Sequence, residues 1–391
     1  MSMKFFTNCN VVDVVNEKVF AGSVLVEDSV IKEVGENLSC PEGAQVVDLG
    51  GKTLVPGFFN CHTHMCLEGV ANPQYDQNDC QVTMMALKNL KKLVNSGCTF
   101  IRDVGGIDYI DIDIRNEAAK GEMVAPDMQV SGKCICMTGG HGWFMGRQAD
   151  GPDDCRKAAR EQLRAGADWV KVMATGGVMT KGVEPGSPQL SEEELRAAIE
   201  EAHKAGAKTC THAQGMTGIK NVLRAGVDSI EHGFFMDDWC FDWMKEHNVF
   251  FVPTLAAMYW IYVNGTEAGI PEYAVRKVES TFDAHRDTFL RAYKAGVKIA
   301  LGTDAGTPFN GHDKTAYEMV LMTQAGMTNW DALKAGTVVS AELCSVADSL
   351  GSIEPGKRAN FAVLAGNPVE DIEAVMDCRM TVVGGKIVYE A

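Results

Sequence analysis

Two histidines separated by one residue, His62 and His64, close the segment Leu54-Val-Pro-Gly-Phe-Phe-Asn-Cys-His-Thr-His64. Side chains at i and i+2 of an extended chain point to the same side, so this pair can grip one cation together. An isolated His-x-His is better explained by two ordinary polar residues in a turn. This one is not isolated, because His212, His232 and Asp304 each end another short apolar run. Each of those also has an ordinary reading, a core histidine held by a hydrogen bond or an aspartate capping the next helix. Their shared position is the signal, since chance also scatters imidazoles elsewhere, as with His203, His247 and His285.

Lys171 discriminates further. It lies inside Asp168-Trp-Val-Lys-Val-Met173, where burying a bare ammonium is costly. Pairing with an acid is one remedy. Within a cationic metal site the other is loss of the proton, after which the neutral amine can add carbon dioxide. The product is a carbamate, a carboxylate on a long arm that can bridge two divalent cations.

A repeat positions these residues. A helix-like segment ends in a small residue plus glycine, and a short apolar strand follows: Ser96-Gly97 then 99–103, Ala165-Gly166 then 169–171, and Ala205-Gly206 then 208–212. The series continues with Ala225-Gly226 then 229–232, and Ala295-Gly296 then 298–304. Glycine suits the left-handed residue that closes a helix, and Ser191 ahead of three glutamates suits a helix start. Alternating helix and strand implies a parallel sheet. Strands near 54–61, 127–135 and 249–255 bring the count to eight, which closes a barrel and gathers the strand C-termini on one face. The apolar run Val249 to Val263 reads as a strand entering a loop. A doubly wound open sheet is the competitor, but no glycine-rich dinucleotide fingerprint follows the first strand.

Both chain ends are different. Residues 1–55 and 351–391 carry short β-rich runs and a Gly384-Gly385 turn, and are expected to form one small β-sandwich, leaving 56–350 as an α/β (β/α)8 barrel. At 391 residues, 46% of them apolar, the chain can bury a large core. Its 52 acidic against 36 basic side chains give a net charge of −16, which disfavours nucleic acid and anionic lipid as partners. Thirteen cysteines without paired spacing argue for buried thiols rather than a disulfide framework. The opening segment, Met1 to Lys18, has no export signature, and no run is long enough to span a bilayer, so a cytoplasmic location is expected.

Together these motifs resemble the amidohydrolase superfamily, from Asp48-Leu-Gly-Gly-Lys-Thr-Leu-Val-Pro-Gly57 to Gly351-Ser-Ile-Glu-Pro-Gly-Lys357. Lys171-Val-Met-Ala-Thr-Gly-Gly177, Ile230-Glu-His-Gly233 and Gly302-Thr-Asp-Ala-Gly306 are similar to the branch of imidazolonepropionase-like proteins and Xaa-Pro or Xaa-Arg/Lys dipeptidases. The resemblance implies that His62, His64 and Asp304 hold the more buried of two metal ions, that His212 and His232 hold the second, and that carbamylated Lys171 bridges them. Imidazolonepropionase has no such lysine, which favours the two-metal peptidase-like members. One departure, Arg358-Ala-Asn360 where the family usually has Ala-Asp, falls in the β module and concerns a local contact.

On this reading a hydroxide shared by the metals attacks a scissile amide carbonyl, and Asp304 serves as base and then acid. Zinc is the expected metal, with nickel, cobalt and manganese as alternatives. His141, in Thr138-Gly-Gly-His-Gly-Trp143, is expected at the substrate carbonyl or carboxylate. Tyr259, in the loop after the seventh strand, and His312, after the eighth, are weaker substrate-binding candidates. A dipeptide or N-acyl amino acid with a free carboxylate would fit, and the acidic surface would favour a basic side chain in it. A cyclic-amide hydrolase or a deaminase on the same barrel is the alternative reaction, and a non-catalytic metal-binding scaffold, store or sensor is the alternative class. The resemblance also implies a homo-oligomer.

Overall fold

The computed structural model describes residues 2–73 and 76–391. Eight parallel segments form the barrel: Phe58–Thr63, Cys98–Asp103, Asp127–Val130, Trp169–Met173, Lys208–Ala213, Ser229–His232, Phe250–Val252 and residues 298–301. The eighth is too short to register as a full strand, yet it closes the ring. The Phe251 N–H donates to Lys298 O at 2.9 Å, the Ala300 N–H to Phe251 O at 2.9 Å, and on the other side the Cys61 N–H donates to Leu301 O at 2.7 Å. The expected closing glycines Gly97, Gly166, Gly206, Gly226 and Gly296 all have positive φ, between 77° and 102°. The Ser191 hydroxyl accepts the Glu194 N–H while Glu194 reaches back, a complete capping box.

Two boundaries differ from the expectation. The first strand is broken at Gly57: Thr53–Pro56 pairs within the β module, whereas Phe58–Thr63 belongs to the barrel. A Cβ at Gly57 would stand 2.1 Å from the Thr99 hydroxyl, so no other residue fits this junction without displacing the second strand. The apolar run after the sixth strand is a three-residue strand followed by a helix, Leu255–Asn264, not a loop.

Strands from both chain ends share one eight-stranded sheet in which Thr53–Pro56 lies between Met3–Asp13 and Phe361–Leu364. Phe6, Val24, Ile31, Phe361 and Val382 pack into its core. Asn360 explains its departure from the family pattern: its amide donates to Asp127 at 2.9 Å and its carbonyl accepts the Gly384 N–H at 2.8 Å, whereas an aspartate there would face Asp127 with a like charge. Eleven of the thirteen cysteines are buried, and all are free thiols. Among the described residues, no helix is long and apolar enough to cross a membrane.

Inside the barrel the layers have distinct chemistry. Phe59, Phe100, Trp169 and Phe250 plug the lower end, with Phe59 and Phe100 stacked at 4.7 Å. Above them Arg102 lies over the Trp169 ring, 4.6 Å from its centre. The upper rim carries the site.

Candidate metal centre and active-site cleft

His62 and His64 from the first strand, Lys171 from the fourth, His212 from the fifth, His232 from the sixth and Asp304 from the loop after the eighth all line one cleft of about 750 Å³, its open mouth included. Ligand atoms of His62, His232 and Asp304 lie within 4.8 Å of one another. Asp304 Oδ1 is 3.2 Å from His64 Nε2 and 3.4 Å from His62 Nε2. The imidazoles form a continuous arc, with ring centres 5.3 Å apart for His64 and His62, 5.0 Å for His62 and His232, 4.6 Å for His232 and His212, and 4.2 Å for His212 and His141.

Each imidazole among the ligand candidates is oriented by a partner on its far side. His62 Nδ1 is 2.7 Å from Glu231, His64 Nδ1 3.2 Å from Gly105 O, His232 Nδ1 2.7 Å from the Thr254 hydroxyl, and His212 Nε2 2.9 Å from Gly176 O. These bonds leave Nε2 of His62, His64 and His232 and Nδ1 of His212 for a metal, the arrangement in which outer partners fix ring orientation and tautomer. Burial, reinforced by neighbouring positive groups, holds His62, His212 and His232 well below the ordinary imidazole pKa, so they are neutral and able to donate a lone pair. Burial pushes the Asp304 carboxyl up, but His62 and His64 outweigh it and bring the group down to about 2. The donor set of neutral imidazoles and one carboxylate therefore fits divalent metal ions.

Two ligand candidates sit in unusual backbone geometry: His232 has φ 71° and Asp304 φ 60°. Thr254, which holds His232, has φ 53°. This left-handed region is uncommon for residues with a Cβ.

Lys171 is 1% exposed, and among the described residues its ammonium has no hydrogen-bond or ion-pair partner. Asp304 is near enough to feel its charge, but among the described residues no acid lies within ion-pair distance of it.

Several residues that hold the site were not singled out from the sequence. Glu231, fully buried, spans His62 and Arg102, accepting from Arg102 Nη2 at 2.8 Å and from the Ser229 hydroxyl at 2.6 Å. Arg102 also donates to Cys61 O at 2.6 Å and to Ser229. Asp103 accepts the Met65 N–H at 2.5 Å and the Thr63 hydroxyl at 3.2 Å, bracketing His64. Glu318 accepts the N–H groups of Leu255 and Ala256 at 2.7 and 2.8 Å, and burial pushes its carboxyl up to about 8. The signal for Arg102, Asp103 and Glu231 was available: charged residues within short strands that are otherwise apolar, the criterion that singled out Lys171.

The substrate-binding candidates separate. His141 lines the cleft, its Nδ1 2.8 Å from the Thr180 hydroxyl, and burial brings its pKa down to about 3. Tyr259 is on the Leu255–Asn264 helix rather than in a loop; its hydroxyl meets that of Tyr317 at 3.3 Å, outside the cleft lining. His312 is buried behind the first strand, its Nε2 3.2 Å from His64 O, also outside the lining. The remaining wall is apolar, built from Leu67, Phe144, Met145, Met173, Phe234 and Met258, among others. Among the described lining residues Lys171 is the only lysine or arginine and Asp304 the only acid, so a basic substrate side chain meets no counter-charge beyond the metal site.

Fold and site together define a hydrolase barrel of the metal-dependent type. The amidohydrolase family model matches residues 53–388, and the chain belongs to that family. It is 29% identical to the ochratoxinase of Aspergillus niger over 360 residues, covering 83% of this chain and 72% of that protein. Among solved structures it is similar to a Xaa-Pro dipeptidase with bound methionine in the active site, at 30% identity and TM-score 0.92, and to a prolidase complexed with N-methylphosphonate-L-proline, at 30% identity and TM-score 0.93. Both superpositions cover the whole of each chain.

Proposed function

We propose that the cleft hydrolyses an amide bond in a small substrate bearing an apolar group, a dipeptide or N-acyl amino acid, and that His62, His64, His212, His232, Asp304 and carbamylated Lys171 would hold two zinc ions for that reaction. The observation that carries this reading is the convergence of His62, His64, Lys171, His212, His232 and Asp304, from five different strands and the loops that follow them, on one cleft. The unpartnered Lys171 supports the carbamate: the neutral amine adds to carbon dioxide, forming a C–N bond and releasing one proton, and the buried cation is replaced by an anion suited to metal ions. When bound, the metals supply a Lewis acid for the carbonyl and lower the pKa of a water molecule so that it is a nucleophile near neutral pH.

The chain's own groups do the rest. Asp304, ionised at neutral pH, accepts a proton on its carboxylate and returns it to the departing amine. His141, neutral, offers a ring nitrogen to the substrate carbonyl or carboxylate. The wall formed by Met145, Met173, Phe234 and Met258 takes an apolar side chain and excludes water, with flexible thioethers adapting to its shape. Relatives named for Xaa-Pro dipeptides and for ochratoxin support an amide as the scissile bond, and methionine bound in one relative's active site supports an apolar side chain.

The test is a panel of dipeptides and N-acyl amino acids carrying leucine, methionine, phenylalanine, proline, lysine or glutamate, assayed with zinc-loaded enzyme. Hydrolysis of apolar members, abolished by a chelator and restored by zinc, is expected. Preference for lysine or glutamate would refute the apolar assignment, and inertness towards the whole panel at full metal content would refute the reaction.

A further inference from the structure

One helix, Glu272–Lys294, reaches three of the loops that build the cleft. Lys277, Thr281, His285 and Thr288 lie buried along one of its faces, at spacings of three and four residues that keep them in line. His285 Nε2 is 2.8 Å from Pro253 O, next to Thr254, and the Thr288 hydroxyl donates to Phe234 O at 2.7 Å. The densest contact comes from Lys277. Its ammonium donates to the carbonyls of Gly177 at 3.0 Å, Val178 at 3.2 Å and Thr180 at 2.7 Å. The Tyr273 hydroxyl, one turn earlier, donates to the carbonyl between them, Met179 O, at 3.1 Å. Consecutive carbonyls from 177 to 180 are thus all held from this one helix.

That loop follows the Lys171 strand and touches the site at several points. Val178 and Met179 line the cleft. Gly177 lies against the His141 ring so closely that a Cβ would stand 2.4 Å from Cε1. The Thr180 hydroxyl, 2.8 Å from His141 Nδ1, also accepts the Gly142 N–H at 3.4 Å. The Gly142 N–H takes one lone pair of that oxygen and leaves the hydroxyl proton free to point to Nδ1; in that arrangement Nδ1 is the acceptor and the ring proton is on Nε2. His141 then presents an N–H donor, the form a substrate carbonyl needs.

Lys277 is 1% exposed and, among the described residues, has no ion-pair partner. Three ammonium donors meet three carbonyls, so its full donor capacity goes into this loop. Charge-assisted bonds of this kind are roughly twice as strong as neutral ones, and an apolar side chain would fill the same space without them.

We propose that Lys277 is a positioning residue for His141: by fixing the carbonyls of Gly177, Val178 and Thr180 it holds the Thr180 hydroxyl against Nδ1 and so keeps the Nε2–H tautomer aimed into the cleft. The inference rests on the reading that His141 meets the substrate, and the experiment separates the two. Zinc-loaded enzyme is labelled with 15N-histidine, and the His141→Asn variant identifies the His141 signals. In the unmodified enzyme Nδ1 is expected as an unprotonated acceptor and Nε2 as protonated. Lys277→Met should mix the two tautomers and lower kcat on the fastest amide of the panel about tenfold, with KM changed less than about threefold. Lys277→Arg should restore most of the rate, and Lys277→Met made in the His141→Asn background should cost less than about threefold. An unchanged tautomer, or losses that simply multiply, would overturn the proposal. If His141→Asn alone costs nothing, the substrate contact is refuted while the tautomer measurement still decides on Lys277. Should Lys277→Met fail to fold, Thr180→Val cuts the same chain at its last link, and an unchanged His141 tautomer there counts against the proposal equally.

Discussion

The rim of the barrel and the wall of the cleft meet around the same space and are built on opposite principles. The rim carries the candidate ligands on or just beyond strand ends, and the imidazoles are locked by a partner behind the ring: Glu231 for His62, Gly105 for His64, Gly176 for His212, Thr254 for His232. Apart from Met173, which ends the fourth strand, the wall is carried by loops and by the Leu255–Asn264 helix, and it is largely apolar and rich in methionine. Strands fix atoms to fractions of an ångström, which metal ligands need, whereas loops can vary without unfolding the barrel. On the proposed function, reaction and substrate preference would fall to different parts of the chain.

Lesions that separate the two regions test this division. The largest loss is expected at the rim: Asp304→Asn should cut kcat on every amide in the panel by about a thousandfold or more while metal, counted by elemental analysis, is retained in part. Turnover within tenfold of the original would remove Asp304 from the chemistry. Lys171→Met should abolish turnover nearly as fully and reduce bound metal towards one ion per chain; two ions per chain would dispose of the bridging role. One layer further out, Glu231→Gln should weaken metal affinity about 10–100-fold, measured by chelator competition, because His62 loses its anionic partner. Unaltered affinity would show that His62 needs no such support.

Wall changes should instead reorder substrates. Phe234→Ala should lower kcat/KM for the largest apolar amide about tenfold and leave the smallest within about threefold, the scale of a few lost apolar contacts. A uniform fall across the panel would mean that the wall supports the rim rather than choosing the substrate. The smallest effect concerns stability. Burial holds His285 at about 4 in the folded chain, below its ordinary 6.5. The unfolded chain therefore binds a proton that the folded one refuses, so this stability is complete above pH 6.5 and drains away as pH falls from 6.5 towards 4. His285→Gln keeps an N–H for Pro253 O and removes the titration. Chemical denaturation at several pH values should show the dependence flattened by about 1 kcal/mol per pH unit in that window. An unchanged slope would mean that His285 takes up its proton when folded.

The same division explains what could be read from the chain alone. Lys171, His212 and His232 were legible because a repeated glycine-then-strand unit places each of them on a strand, and His62 and His64 because two histidines at i and i+2 close an extended run. The tight partners behind them are long-range: Glu231 meets Arg102, 129 residues away, through a fold that only the closed barrel provides. The Leu255–Asn264 helix was hidden for two reasons. Apolar residues run all around it, so no amphipathic period appears, and its capping acceptor is not local but Glu318, 63 residues beyond Leu255. Tyr259 was misplaced with it. His312 was read by order along the chain, and its burial behind His64 comes from the turn at residues 312–314, which carries no hydrophobic signal.

His232, Thr254 and Asp304, with φ of 71°, 53° and 60°, carry side chains in a conformation that glycine adopts at less cost. Glycine at any of them would relieve that cost, but it would remove a ligand candidate at His232 or Asp304 and the partner of His232 at Thr254. At these three positions the demands of the site and the preferences of the backbone therefore pull in opposite directions.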